Sequence, residues 1–102
     1  MLEFHPAASR EQRLTAAWYD DARIGMGDRF LSDLVDAIEL VEQFPEAGGP
    51  WLLGMLPDGI RRVRLKRFPY LLVYVTDPRL VAVAIAHERR EPGYWLPRLR
   101  EL

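Results

Sequence analysis

Cysteine is absent from the 102-residue chain, which removes disulfides, zinc–thiolate sites and thiol nucleophiles together. Histidine is almost absent. His5 and His87 lie far apart, and neither has a metal-ligand spacing such as HxxxH, so no metal site is expected. No apolar run approaches the roughly 18 residues of a membrane span, and no basic start leads into the apolar stretch of a signal peptide. Ser9 and Ser32 have no base at a recognisable spacing. These absences point to a cytoplasmic, soluble domain that works without disulfide, metal or cofactor.

What is present suits one small globular domain spanning residues 1–102. Hydrophobic residues make up 49% of the chain and charged ones 28%, with 3 Trp, 4 Tyr and 4 Phe to fill a core. The net charge of −1 hides an asymmetry. Residues 1–60 hold four Arg and no Lys against eleven acids, whereas residues 61–102 hold ten cations against four acids. The split allows one basic face to meet phosphate or an acidic partner, although the whole molecule is not basic.

Leu2 to His5, closed by Pro6, reads as a first strand. Ser9 is a candidate cap for a first helix whose Leu14, Ala17, Trp18 and Ala22 fall on one stripe. Gly25-Met26-Gly27 interrupts it. The triplet resembles the start of a phosphate loop, but it sits between helices and not after a strand, so no dinucleotide role is expected. A second helix carries Phe30, Leu34, Ala37, Ile38, Val41 and Phe44 on one face and stops at Pro45; Asp33, Asp36, Glu39 and Glu42 are expected largely outside that face. Residues 45–59 read as a crossing loop with apolar positions from Trp51 to Leu56. The period then changes to two. Arg61, Val63 and Leu65 alternate with Arg62, Arg64 and Lys66, and two apolar strands follow over Tyr70–Thr76 and Leu80–Ala86, joined by Asp77-Pro78-Arg79. The expected architecture is α+β: an N-terminal strand, a helical hairpin and a three-stranded antiparallel meander.

The chemistry-bearing feature is cationic. Arg62, Arg64 and Lys66 share a strand face, and His87, Arg89 and Arg90 leave the last strand ahead of Tyr94, Trp95, Arg98 and Arg100. Guanidinium groups pair with phosphate oxygens and aromatic rings stack on bases, so such a cluster could stabilise a pentavalent phosphate during metal-free RNA cleavage, with Tyr or His handling the proton. The plainer reading is a solvated face, or one that pairs with the acids of a partner. Like charges along a strand face repel and invite a counter-charge in either case.

The order of elements and several residues together resemble the RelE/ParE superfamily of bacterial toxins. They are Phe4-His5-Pro6-Ala7-Ala8, Trp18-Tyr19, Gly25 to Phe30, Phe44-Pro45, Arg61 to Tyr70, Tyr74, Ala84 to His87, Arg89-Arg90, Pro92 and Tyr94-Trp95. The resemblance implies a cognate antitoxin wrapped on the toxin surface, with Trp51 to Leu56 and parts of the hairpin as docking surface. Operator DNA would be reached only through that antitoxin. It also implies one of two targets. RelE-like members cut mRNA on the ribosome, a role for which Arg64, Lys66, Arg89, Arg90 and Tyr94 occupy comparable regions. ParE-like members inhibit DNA gyrase, and the long hairpin, the Phe68-Pro69-Tyr70 step and the near-neutral charge look more like these. A third expectation is a non-toxic module that only binds the antitoxin.

Overall fold

In the computed structural model, residues 1–50 and 59–102 are described; the apolar segment from Trp51 to Leu56 lies outside them. Strand β1 (Glu3–Phe4) leads through His5 into helix α1 (Pro6–Ala22). Proline suits this first turn because its missing N–H would have no intrahelical partner there. The cap is His5 and not Ser9. His5 Nδ1 accepts the Ala7 N–H at 3.0 Å, while Ser9 lies inside the helix with its N–H on the His5 carbonyl. With Nδ1 accepting, Nε2 carries the hydrogen and donates to Glu101 at 2.8 Å, tying the helix start to the C-terminal tail.

Gly25, at φ +91°, turns the chain into helix α2 (Met26–Gln43). At Gly27 the two helices approach closely. A Cβ there would run into the Ala16 carbonyl oxygen and the Asp20 carboxylate, and its N–H donates to Asp20 at 2.8 Å. The glycine triplet therefore closes a helical hairpin.

Two further edge residues form β2 (Gly49–Pro50), followed by β3 (Ile60–Arg64), β4 (Tyr70–Val75) and β5 (Val81–His87). Strands β3, β4 and β5 form the antiparallel meander expected from the alternation. The first strand adds a parallel edge to it, Glu3 opposite Val81, so the sheet is mixed and ordered β1-β5-β4-β3-β2. Both faces of β4 and β5 are covered. Phe30, Leu34, Val41, Leu72, Tyr74, Ala82 and Ile85 share one core with the helices. On the other face Val73, Val83, Ala84 and Ala86 pack with Trp95, and Leu96 and Leu99 of the short 3-10 helix Leu96–Glu101 lie against them. A register shift beside Val73 and Tyr74 turns both Val83 and Ala84 to the Trp95 side.

Four local expectations change. β3 ends at Arg64, so Lys66 sits in the turn to β4 and not on the strand. Phe44 caps α2 with 57% of its surface exposed instead of lying in the core. Asp33 is buried, although it was placed outside the apolar face of α2. The Leu14–Trp18 stripe of α1 faces solvent, each of those two residues being 63% exposed, while Ala8 and Ala16 are its buried positions.

Candidate functional site

Two residues of β1 pair with β5, and among the described residues this leaves the rest of that strand's edge without a strand partner. An open edge presents backbone donors and acceptors that need partners. Two side chains supply them. Glu11 on α1 accepts the Ile85 N–H through Oε1 at 3.0 Å, and Arg98 Nη1 donates to the Val83 carbonyl at 3.0 Å. Arg98 then closes on Glu11 itself, with Nη1 at 2.8 Å from Oε1 and Nη2 at 3.0 Å from Oε2. This two-point guanidinium–carboxylate pair is geometrically specific and stronger than a neutral hydrogen bond.

Tyr94 enters the same cluster. Its hydroxyl donates to Glu11 Oε2 at 2.6 Å, and the Arg90 guanidinium lies over its ring, 3.8 Å from the centroid. Burial pushes the Tyr94 hydroxyl well above its ordinary pKa, and the hydrogen bond to Glu11 and that carboxylate's charge push it further. Tyr94 is therefore a protonated donor at neutral pH. It holds the tail against α1. Arg90 Nη1 is also 3.9 Å from Glu11, so its charge is partly met.

The other candidates make contacts of their own. Arg64 Nε donates to Glu88 at 3.1 Å and its Nη1 to the Leu65 carbonyl at 3.0 Å. Arg64 and Lys66 line a groove of about 270 Å³ beside α2, together with Leu40, Asp36 and Val63. The neighbouring Arg67, and not Lys66, makes the strongest contact with the helix. Its backbone N–H and Nη2 each lie 2.8 Å from the Asp33 carboxylate, and Nε lies 3.0 Å away. Burial raises the Asp33 pKa, but the hydrogen bonds and charge of Arg67 outweigh it and hold the carboxyl below its usual range.

The sequence-predicted cations thus fall into two groups, Arg64 with Lys66 and Arg90 with Tyr94. No hydrogen bond, ion pair or ring contact joins the groups among the described residues. Arg89 is exposed, and its backbone N–H donates to His87 Nδ1 at 3.1 Å. His87 itself faces the helices, its ring edge-on to Tyr70 at 5.1 Å, beside a shallow pocket with Trp18 and Thr15. Sequence reasoning overlooked Glu11 and Asp33. Glu11 gave no signal, being an acid in an early helical turn where acids are common. Asp33 gave one, because it lies three residues after Phe30 and four before Ala37, which places it at the border of the buried face.

Residues 2–92 match the family described as the ParE toxin of type II toxin–antitoxin system, parDE. The chain belongs to that family, and its α+β fold is compatible with it. It is accordingly the toxin component of a type II toxin–antitoxin pair, and the family implies a cognate antitoxin. No curated protein matches the sequence significantly. Among the described residues no helix is long and apolar enough to cross a membrane.

Proposed function

We propose that this toxin arrests growth by inhibiting DNA gyrase, and that its antitoxin neutralises it by direct binding. The observation that carries this choice over mRNA cleavage is the engagement of Tyr94. Its hydroxyl is committed to Glu11 at 2.6 Å and Arg90 is stacked on its ring, so neither is arranged to move a proton at a phosphate. The near-neutral net charge also favours a protein target over ribosomal RNA, where phosphate contacts dominate affinity.

The groove beside Arg64 and Lys66 suits the antitoxin. It offers two cations, the apolar Leu40 and Val63, and a β3 edge that, among the described residues, β2 covers at Arg61 and Arg62. An extended acidic segment pairing with that edge would satisfy both the backbone and the charge.

The test is pulse-labelling of protein synthesis in the minutes after induction of the chain without its antitoxin, alongside gyrase-dependent DNA cleavage in vitro. Continued synthesis with arrested division, accompanied by trapped gyrase–DNA complexes, is expected. An early collapse of translation would replace this reading with ribosome-dependent mRNA cleavage, and Arg64, Lys66, Arg89, Arg90 and Tyr94 would become the residues to mutate. Normal growth and normal synthesis would leave a module that only binds its antitoxin.

A further inference from the structure

Helix α1 exposes a self-complementary face, and it carries an inference independent of the toxin's target. Arg10, Leu14, Ala17 and Asp21 are all exposed and follow one another at spacings of four, three and four residues, so they form a single stripe opposite the buried Ala8 and Ala16. Trp18 flanks the stripe on one side, and Arg13 and Asp20 flank it on the other.

The charges on this stripe run the wrong way for an isolated helix. A helix favours acids near its N-terminus and bases near its C-terminus, yet α1 has no acid in its first turn and no base in its last. It places Arg10 and Arg13 toward the start and Asp20 and Asp21 at the end. None of these four makes an ion pair among the described residues, although Asp20 accepts the Gly27 N–H. The polarity that is unfavourable within one helix is complementary to an antiparallel copy of itself.

We infer that this α1 face is the contact surface of a two-fold, antiparallel homodimer of the toxin, in which Arg10 meets Asp21 of a second copy and Leu14 packs on that copy's Ala17 and Trp18. The spacing supports the assignment. An antiparallel pair centred between Leu14 and Ala17 brings Arg10 opposite Asp21 and Leu14 opposite Ala17 in one register, and the same alignment sets Arg13 about two residue rises, ~3 Å along the axis, from Asp20. Side-by-side antiparallel helices related by a two-fold axis keep like flanks together, so Trp18 lies beside Leu14 of the partner copy and Arg13 beside Asp20. A two-fold interface uses one patch twice, and here both halves of each ion pair come from the same stretch, Arg10 to Asp21. With one helix per subunit the contact is small, and the dimer is concentration-dependent, not obligate.

Sedimentation equilibrium of the purified chain over a concentration series, up to about 1 mM, measures this directly. A monomer–dimer equilibrium is expected. Leu14→Asp should raise the dissociation constant at least roughly tenfold, because it puts an unpaired charge at the centre of the contact. Its circular dichroism and Tm should match those of the parent chain. Arg10→Asp and Asp21→Arg should each weaken the dimer several-fold, and the double variant Arg10→Asp/Asp21→Arg should restore it. A chain that stays monomeric throughout would overturn the inference, as would a dimer indifferent to Leu14→Asp or one that the double exchange does not rescue. A chain monomeric by itself whose Leu14→Asp variant loses affinity for the antitoxin would assign the face to the antitoxin instead.

Discussion

Helix α2 turns Phe30, Leu34, Ala37 and Val41 to the sheet and leaves most of its acids in solvent, whereas α1 turns Ala8 and Ala16 inward and leaves Leu14 and Trp18 outside. Both helices carry an apolar stripe at spacings of three and four, yet only one stripe is core. The difference lies in what each helix must cover. α2 packs over apolar side chains of β4 and β5, so burial of large hydrophobic groups decides its orientation. α1 lies against the open edge of β5, where the unpaired amide of Ile85 needs an acceptor, and Glu11 must point there. Leaving a buried backbone amide unpaired costs about 1–3 kcal/mol and keeping a carboxylate buried without partners costs more, so the polar network fixes the rotation of α1 and its apolar stripe is left outside.

Truncation at the centre of α2 should break the comparison most severely. Phe30 is fully buried and touches Tyr70, Phe68 and Tyr19, with ring centroids at 5.4, 5.6 and 5.7 Å. Phe30→Ala should cost about 3–5 kcal/mol in chemical denaturation, through lost transfer energy and the cavity left behind. In a domain of this size that is a large share of the total stability. A loss below about 1 kcal/mol would mean that the aromatic cluster is not what fixes α2.

Next in size is the polar anchor of α1. Glu11→Ala removes the acceptor for Tyr94, for both Arg98 nitrogens and for the Ile85 N–H, and it should cost about 3 kcal/mol. Hydrogen exchange gives the more diagnostic readout. The Ile85 amide and the 3-10 helix should lose protection, while α2 amides keep theirs relative to the new global stability. Uniform loss everywhere would show that Glu11 supports the whole fold and does not serve the β5 edge in particular.

How much of this the chain reveals before folding follows the same division. The meander is legible because Val73, Tyr74, Val83 and Ile85 alternate or run apolar on a scale of a few residues. Phe30 to Val41 is legible because its period and its core coincide. The rotation of α1 is not, because it is decided by residues up to 87 positions away, in the Arg98–Glu11 pair. The contacts of the candidate site are hidden in the sequence for the same reason. Tyr94 and Arg90 stand out as residue types, and only the fold shows that both reach Glu11. Arg64, by contrast, sits on the strand where its alternation placed it.

Asp33 sharpens the comparison through pH, since it is the buried carboxylate of α2, as Glu11 is the partnered, half-buried carboxylate of α1. Its pKa is lowered in the folded chain, where Arg67 outweighs the effect of burial. The unfolded state therefore binds a proton more readily, so the stabilisation is fully present above the unfolded value near 3.9 and falls away as pH drops through the folded value. Asp33→Asn should cost about 2 kcal/mol at pH 7 and progressively less below pH 4, because the parent chain loses the same interaction there. Denaturation midpoints of both chains between pH 7 and pH 3 should converge. A gap that stays constant with pH would assign the effect to packing and not to the Arg67 pair.

The smallest expected effect is the most informative about α1. Leu14 and Trp18 are the large apolar residues of its stripe, yet each is already 63% exposed in the folded monomer. Little apolar surface is therefore gained from water on folding, and surface changes away from special features fall within about 0.5 kcal/mol. Leu14→Ser should leave the denaturation midpoint of the dilute monomer almost unchanged, where the same kind of truncation at Leu34 of α2, which is fully buried, should cost several-fold more. A near-zero value would separate the two stripes energetically: one was selected for folding, and the other is free to be a contact surface. A cost approaching that at Leu34 would mean that α1 is rotated in solution to bury its stripe, and Glu11 could not then reach the Ile85 amide.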